Sequence, residues 1–281
     1  MKIAYCGYDF FHGCLRRIIA DGHEIFKVFT FDCDNHYNFN RYIYEICETH
    51  HLPITQTAIS ATDLQQLDEQ GCELLITAGY RHKVPEMSHL AMKGINVHPT
   101  LLPLGRGVWP LPWVILTHQV RSGVSIHKLT ADYDAGDILG QATFDLTSNE
   151  NLESLSCKTQ MVAIDALAAV VEDFDSKWRN AKPQDHNKAC VWPMPQRSDR
   201  TIHWHQGVSN IDSICRAFGK FGAYAYFDDQ WWCVYDVRTW QQVHQRSVGE
   251  VVHKSNTEMV VAASDGFVCL RLFEPLVEAA V

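Results

Sequence analysis

The 281-residue chain carries 24 Lys and Arg against 33 Asp and Glu, a formal charge of −9 at pH 7. This argues against a dominant nucleic-acid surface, which needs clustered cations to neutralise phosphates, but leaves room for a local basic pocket. Apolar residues make up 46%, no apolar run approaches the roughly 18 residues of a membrane span, and the N-terminus MKIAYCGYDFF lacks the build of a secretory signal. The ten cysteines are scattered, with no CxxC pair and no zinc-type spacing, which implies reduced thiols in a cytoplasmic protein.

In chain order, IAYCGY (3–8) reads as a strand, 14–20 as a helix and EIFKVFTF (24–31) as a second strand. Residues 40–50 have a helical period, with Tyr42, Ile43, Ile46 and Cys47 on one face. ELLITAGY (73–80) and GINVHP (94–99) are buried strands, and 123–130 and 138–146 are two more. Thr147 and Glu150 form a capping-box pattern ahead of a long helix, roughly 152–173, with an apolar stripe through Met161, Ile164, Leu167 and Val171. This alternation predicts an α/β domain with a parallel-dominated sheet and helices on both faces. Residues 175–200 are polar and contain proline, so the expected organisation is a catalytic domain over 1–180, a linker over 181–200 and a β-rich domain over 201–281. In the last of these, Ser209 with Asp212 caps a small helix bearing Ile211, Ile214, Cys215 and Phe218. The strands AYAYF, WWCVYDV, GEVVHK, EMVVAA and FVCLRLF then suggest a small barrel or sandwich.

The chemistry concentrates in two places. Residues two apart on a strand share a face, so Asn96 and His98 project together, and Pro99 ends the strand where open parallel sheets place their ligand crevice. A satisfied histidine at a strand end is the competing reading. In TADYDAGDIL (130–139), Asp132, Asp134 and Asp137 crowd a loop containing Gly136. Such a cluster is a solvated turn, a divalent-metal site, or the source of one Asp that orients a histidine. DxDxxD lacks the length and terminal Glu of a calcium loop, and no phosphate-transfer motif accompanies it. GxGxxG, GxxxxGK[ST] and GxSxG are all missing, which removes nicotinamide-binding, nucleoside-triphosphatase and serine-hydrolase readings at their fingerprints.

Taken together, NVHPTLLP, the following RG and WP, and GVSIHKLTADYDAGDIL resemble the formyltransferases that use 10-formyltetrahydrofolate. The resemblance implies a Rossmann-like domain followed by a smaller OB-like one. It puts the family's catalytic Asn, His and Asp on Asn96, His98 and Asp134. Within the family, AGYRHKVP, FTFDCDNHYNFN and GAYAYFDDQWWCVYDVR are most similar to the sugar N-formyltransferases, including the 4-amino-4-deoxyarabinose enzyme of lipid A modification. The implied partners are a folate co-substrate and a nucleotide-linked amino sugar, in a homodimer, with no metal, nucleic acid or membrane.

The same resemblance lays the pterin between Tyr80, Arg81, His82, Lys83 and Val84 on one side and the loop from Tyr133 to Asp137 on the other. It offers Arg106, Thr100 and Trp109 to the sugar nucleotide, with Trp109 and Trp113 as stacking or packing aromatics. Methionyl-tRNA formyltransferase is the runner-up. Residues 200–281, however, hold seven Lys and Arg against nine Asp and Glu, a net −2 that suits an RNA backbone poorly. Hydroxyornithine and glycinamide ribonucleotide formyltransferases, and a silent folate-binding module, are further alternatives. In the implied reaction Asn96 and His98 face the oxyanion and Asp134 favours the His98 imidazolium. Which of His98 and Asp134 takes the amine proton stays open. Trp231–Trp232 is read as core or subunit interface, and His203 and His205 as an exposed strand face.

Overall fold

The computed structural model describes residues 1–276, so positions 277–281 of the expected C-terminal domain lie outside the described residues. Two compact units divide the chain. The first holds residues 1–108, 121–145 and 157–192, and the second 109–120, 146–156 and 193 onward.

In chain order the elements are β1 (Lys2–Gly7), α1 (His12–Ala20), β2 (Glu24–Phe29), α2 (Arg41–Thr49), β3 (Ile54–Thr55), α3 (Ala61–Glu69), β4 (Leu74–Ala78), β5 (Lys93–His98) and β6 (Leu104–Arg106). They continue with α4 (Leu111–Leu116), which lies in the second unit, then β7 (Arg121–Lys128), β8 (Ile138–Asp145), α5 (Leu152–Glu172), α6 (Phe174–Arg179) and β9 (Cys190–Val191). Seven strands form one sheet in the order β3-β2-β1-β4-β5-β7-β8. β3 to β5 run parallel, while β7 and β8 join antiparallel, so the sheet is parallel-dominated as expected.

Alternation along the strands sorts the core. Ile3 and Tyr5 of β1 and Leu74 and Ile76 of β4 pack with Leu15 and Ile18 of α1, Ile43 and Ile46 of α2, and Leu167 and Val171 of α5. Ala4, Cys6 and Leu75 point the other way, onto Leu64 and Leu67 of α3. Burial of side chains this size contributes about 1.5–3 kcal/mol each, which pins the register.

Three expectations about α5 need correcting. The cap of α5 is Asn151, not Thr147: Asn151 Oδ1 accepts from Ser154 N at 2.9 Å and Asn151 N donates to Ser154 Oγ at 3.2 Å. Thr147 and Glu150 close the turn just before it. Met161 is 69% exposed, because the buried stripe of α5 runs through Ala163, Leu167 and Val170. α5 is long and apolar enough to cross a membrane, against the reading that no segment comes near it; core helices share that length and composition, and those three residues lie in the first unit's core.

The segment 181–192 is part of the first unit rather than a free linker. Ile138 and Lys182 exchange backbone bonds of 2.8 and 2.9 Å, β9 pairs in parallel with β6, and Trp192 is buried.

The second unit adds β10 (Thr201–Ile202), α7 (Val208–Phe218), β11 (Ala223–Phe227), β12 (Gln230–Gln241), β13 (Val251–Lys254), β14 (Met259–Ala262) and β15 (Gly266–Pro275). Its strands form one six-stranded sheet, β10-β11-β12-β15-β14-β13, not two facing layers. Val208, Ile211, Ile214, Cys215 and Phe218 are the buried stripe of α7. The cap comes from Asp265, whose Oδ1 accepts from Val208 N at 2.8 Å, instead of from Ser209. Trp232 is buried and stacks on Phe227 at 5.2 Å, a core role. His203 and His205 are exposed beside a turn, just past the end of β10.

Candidate active site

β5 ends at His98, and its neighbours on both sides supply partners for the residues it presents. Thr77 of β4 and His127 of β7 sit in register with Asn96. Thr77 Oγ1 donates to Asn96 Oδ1 at 2.7 Å, which fixes the amide so that Nδ2 points into the site. Nδ2 then donates to His127 Nε2 at 3.1 Å and reaches Asp134 Oδ1 at 3.4 Å. His127 Nδ1 donates to the Lys128 carbonyl at 2.9 Å, so its Nε2 is the acceptor for that amide.

His98 is 3% exposed and its Nε2 lies 2.8 Å from the Gly105 carbonyl. A carbonyl only accepts, so Nε2 carries the proton and Nδ1 presents a lone pair, 3.4 Å from Asp134 Oδ1. Burial lowers the His98 pKa below 6.5; Asp134 pulls it up, His127 pushes it down, and the Gly105 bond raises it. The resting side chain is therefore the neutral imidazole, which corrects the expectation that Asp134 makes imidazolium the working form. Desolvation outweighs one carboxylate here.

Asp134 behaves oppositely. Burial raises its pKa, but the neighbouring His127 and His98 rings and the Gly107 N–H at 2.9 Å together hold it down at about 2. It is a standing anion flanked by two imidazoles, with His127 Nε2 at 3.5 Å. Its backbone is left-handed at φ 52°, a region Asp enters more readily than most residues.

The loop after β5 is held from below. Ser125 Oγ donates to the Thr100 carbonyl at 2.7 Å and accepts from Leu102 N at 2.9 Å, while Gln141 bonds Ser125 Oγ and the Leu102 carbonyl. Thr100, expected to meet substrate, is 2% exposed and directs its hydroxyl to the Leu104 and Gly105 carbonyls; it braces the loop. Gly107 has φ 126°, and a Cβ there would collide with the Trp192 carbonyl oxygen, so only glycine brings that N–H to Asp134.

Arg106 donates to Gln184 Oε1 from Nε at 3.1 Å and Nη2 at 2.7 Å, leaving Nη1 without a partner among the described residues. Trp109, offered to the sugar nucleotide by resemblance, packs within its own unit. It lies in the second unit against Phe218 and Phe221, ring centroids 6.1 and 5.4 Å away, and Trp113 Nε1 donates to the Pro193 carbonyl.

The segments expected around a pterin do meet: Lys83 Nζ lies 5.3 Å over the Tyr133 ring. Tyr80 Oη accepts from Ile59 N, Arg81 covers Phe31, His82 packs edge-on to Tyr80, and Val84 leans on the core. Asp137 is tied to Lys128 at 3.0 Å. Among the described residues no group of three or more His, Cys, Asp or Glu is placed to hold a metal. In the first βα turn the Asp9 carboxylate caps α2 through Tyr42 N and Ile43 N.

A formyl transferase profile matches residues 47–171, and a formyl transferase C-terminal domain profile matches 196–277. The chain belongs to the formyltransferase family. Methionyl-tRNA formyltransferase of Treponema denticola is 33% identical over 55% of this chain, which spans only 48% of that relative's length. The enzyme of that name from Chloroflexus aurantiacus is 29% identical over 82% of this chain and 77% of its own. The N-formyltransferase of Helicobacter canadensis, solved with folinic acid and dTDP-3-aminofucose, superposes with a TM-score of 0.74 at 14% identity. It covers 98% of this chain and all of its own, which shows a shared fold. In this formyltransferase His127 and Gln184 are the site residues that sequence reading missed.

Proposed function

We propose that this formyltransferase moves the formyl group of 10-formyltetrahydrofolate to the amine of a nucleotide-linked amino-deoxy sugar, carried by a UDP, dTDP, GDP or CMP group. The observation that carries formyl transfer is the convergence of Asn96, a neutral His98 and an anionic Asp134 at the end of β5. The neutral amine attacks the formyl carbon, and the carbonyl electrons move onto oxygen. Asn96 Nδ2 stabilises that oxyanion, giving up its longer, 3.4 Å contact to Asp134. His98 Nδ1 takes the proton from the newly bonded nitrogen, and the nearby Asp134 stabilises the imidazolium. The carbon bond to the folate nitrogen then breaks, and the proton passes to that nitrogen.

The net charge of −2 over residues 200–281 supports a small acceptor over tRNA. Arg106, with its free Nη1, is the cation offered to the acceptor's phosphate group. The names of the sequence relatives favour the second reading, a methionyl-tRNA acceptor. The two are separated by assaying UDP-, dTDP-, GDP- and CMP-linked amino sugars beside Met-tRNA, all with 10-formyltetrahydrofolate. Turnover of at least one sugar nucleotide, with Met-tRNA at background, is the expected result; turnover of Met-tRNA alone overturns the sugar reading.

A further inference from the structure

Gln184 lies between the two matched family segments, in a polar stretch after α6, yet it is 5% exposed. Its amide is fully engaged. Nε2 donates to the Asp134 and Gly136 carbonyls, both at 2.8 Å, and Oε1 accepts both Arg106 bonds. Arg106 directly precedes Gly107, whose N–H holds the other side of Asp134. The connections close a ring: Gln184 to the Asp134 backbone, the Asp134 carboxylate to Gly107, and Arg106 back to Gln184.

We infer that Gln184 is a positioning residue that sets the distance between Asp134 and His98. The physical case rests on the Asp134 loop. Asp134 is left-handed, a Cβ at Gly136 would strike the Lys128 carbonyl oxygen, and the carbonyls of both residues are bonded by the one Gln184 amide. An unsupported loop of this kind relaxes, and a carboxylate 3.4 Å from an imidazole loses Coulombic influence quickly as it moves away. Only a side chain with two donors and an acceptor, long enough to touch both segments, does this work. Asn is one methylene too short, and Glu has no donors at neutral pH.

The inference rests on the proposed role of Asp134 and not on which acceptor is used. The test compares wild type with Q184M, and with Q184N, which keeps a polar side chain in case Q184M folds poorly. Expected are a ten- to hundredfold lower kcat, a KM for 10-formyltetrahydrofolate within twofold of wild type, and an acid limb of kcat/KM moved to lower pH. The limb moves because His98 loses the partner that raises its pKa; adding Q184M to a D134N enzyme moves it no further. A folded Q184 variant with an unmoved limb overturns the inference, whatever its rate, because a merely structural glutamine would leave the His98 titration in place. If wild type turns over no acceptor, the functional reading fails, and the His98 titration followed by NMR in wild type and Q184N still decides the role of Gln184.

Discussion

Replacing His98 by alanine is expected to lower kcat by about a thousandfold while tetrahydrofolate binding stays within a few-fold of wild type. General acid–base groups contribute roughly 10²–10⁴-fold, and His98 Nδ1 is the one lone pair in the trio that is both neutral-state basic and free of a donor. Its Nε2 is committed to Gly105, so nothing else on this ring can substitute. The residue is buried, so the variant also leaves a cavity, and thermal melting must accompany the kinetics. Folate binding measured by calorimetry separates lost chemistry from a lost site. A folded H98A enzyme within tenfold of the wild-type rate would remove His98 from the mechanism.

Substituting Asp134 by asparagine is the second large effect, a loss of about 10²–10³-fold in kcat. The isosteric amide can still accept the Gly107 N–H, but it cannot stabilise a protonated His98. Stability should respond as well. The folded pKa of Asp134 is depressed from 3.8 to about 2, so its contribution is present above pH 3.8 and is lost as pH falls through about 2. That shift corresponds to about 2 kcal/mol at neutral pH. D134N should therefore melt earlier at pH 7 and show a flatter stability curve between pH 4 and 2. His98 adds a loss of the same sign at higher pH. Its depressed pKa makes the unfolded chain the better proton acceptor as pH drops below 6.5. Equal acid sensitivity of D134N and wild type between pH 4 and 2 would show that the carboxylate is not held as described.

Much of this was legible in the chain. The buried runs at β1, β4 and β5 and the period of α2 are strong local signals, and the structure keeps their bounds within two residues. α3 escaped because ATDLQQLDE buries only Leu64 and Leu67, a stripe too thin to stand out. Asn96 and His98 announced themselves by sharing a strand face. Asp134 was separable from Asp132 and Asp137 only through resemblance, since a φ of 52° and a Gly107 contact cannot be read from spacing. His127 was hidden for a different reason. It meets Asn96 only because β7 runs antiparallel to β5 in one register, and cross-strand register is set by the whole sheet. Gln184 looked like linker because polarity in a proline-containing stretch ordinarily means solvent. Here its polar atoms are spent on buried backbone and Arg106. The imidazolium expectation failed through desolvation, a property of enclosure that no motif carries.

The central claim is a neutral, buried His98 held beside a permanent carboxylate. Histidine-labelled protein titrated by NMR, with the His98 signal assigned by its absence in H98A, measures this directly. The account predicts a pKa below 6.5 in wild type and a still lower one in D134N; a value above 6.5, or one that rises when Asp134 is neutralised, would contradict it.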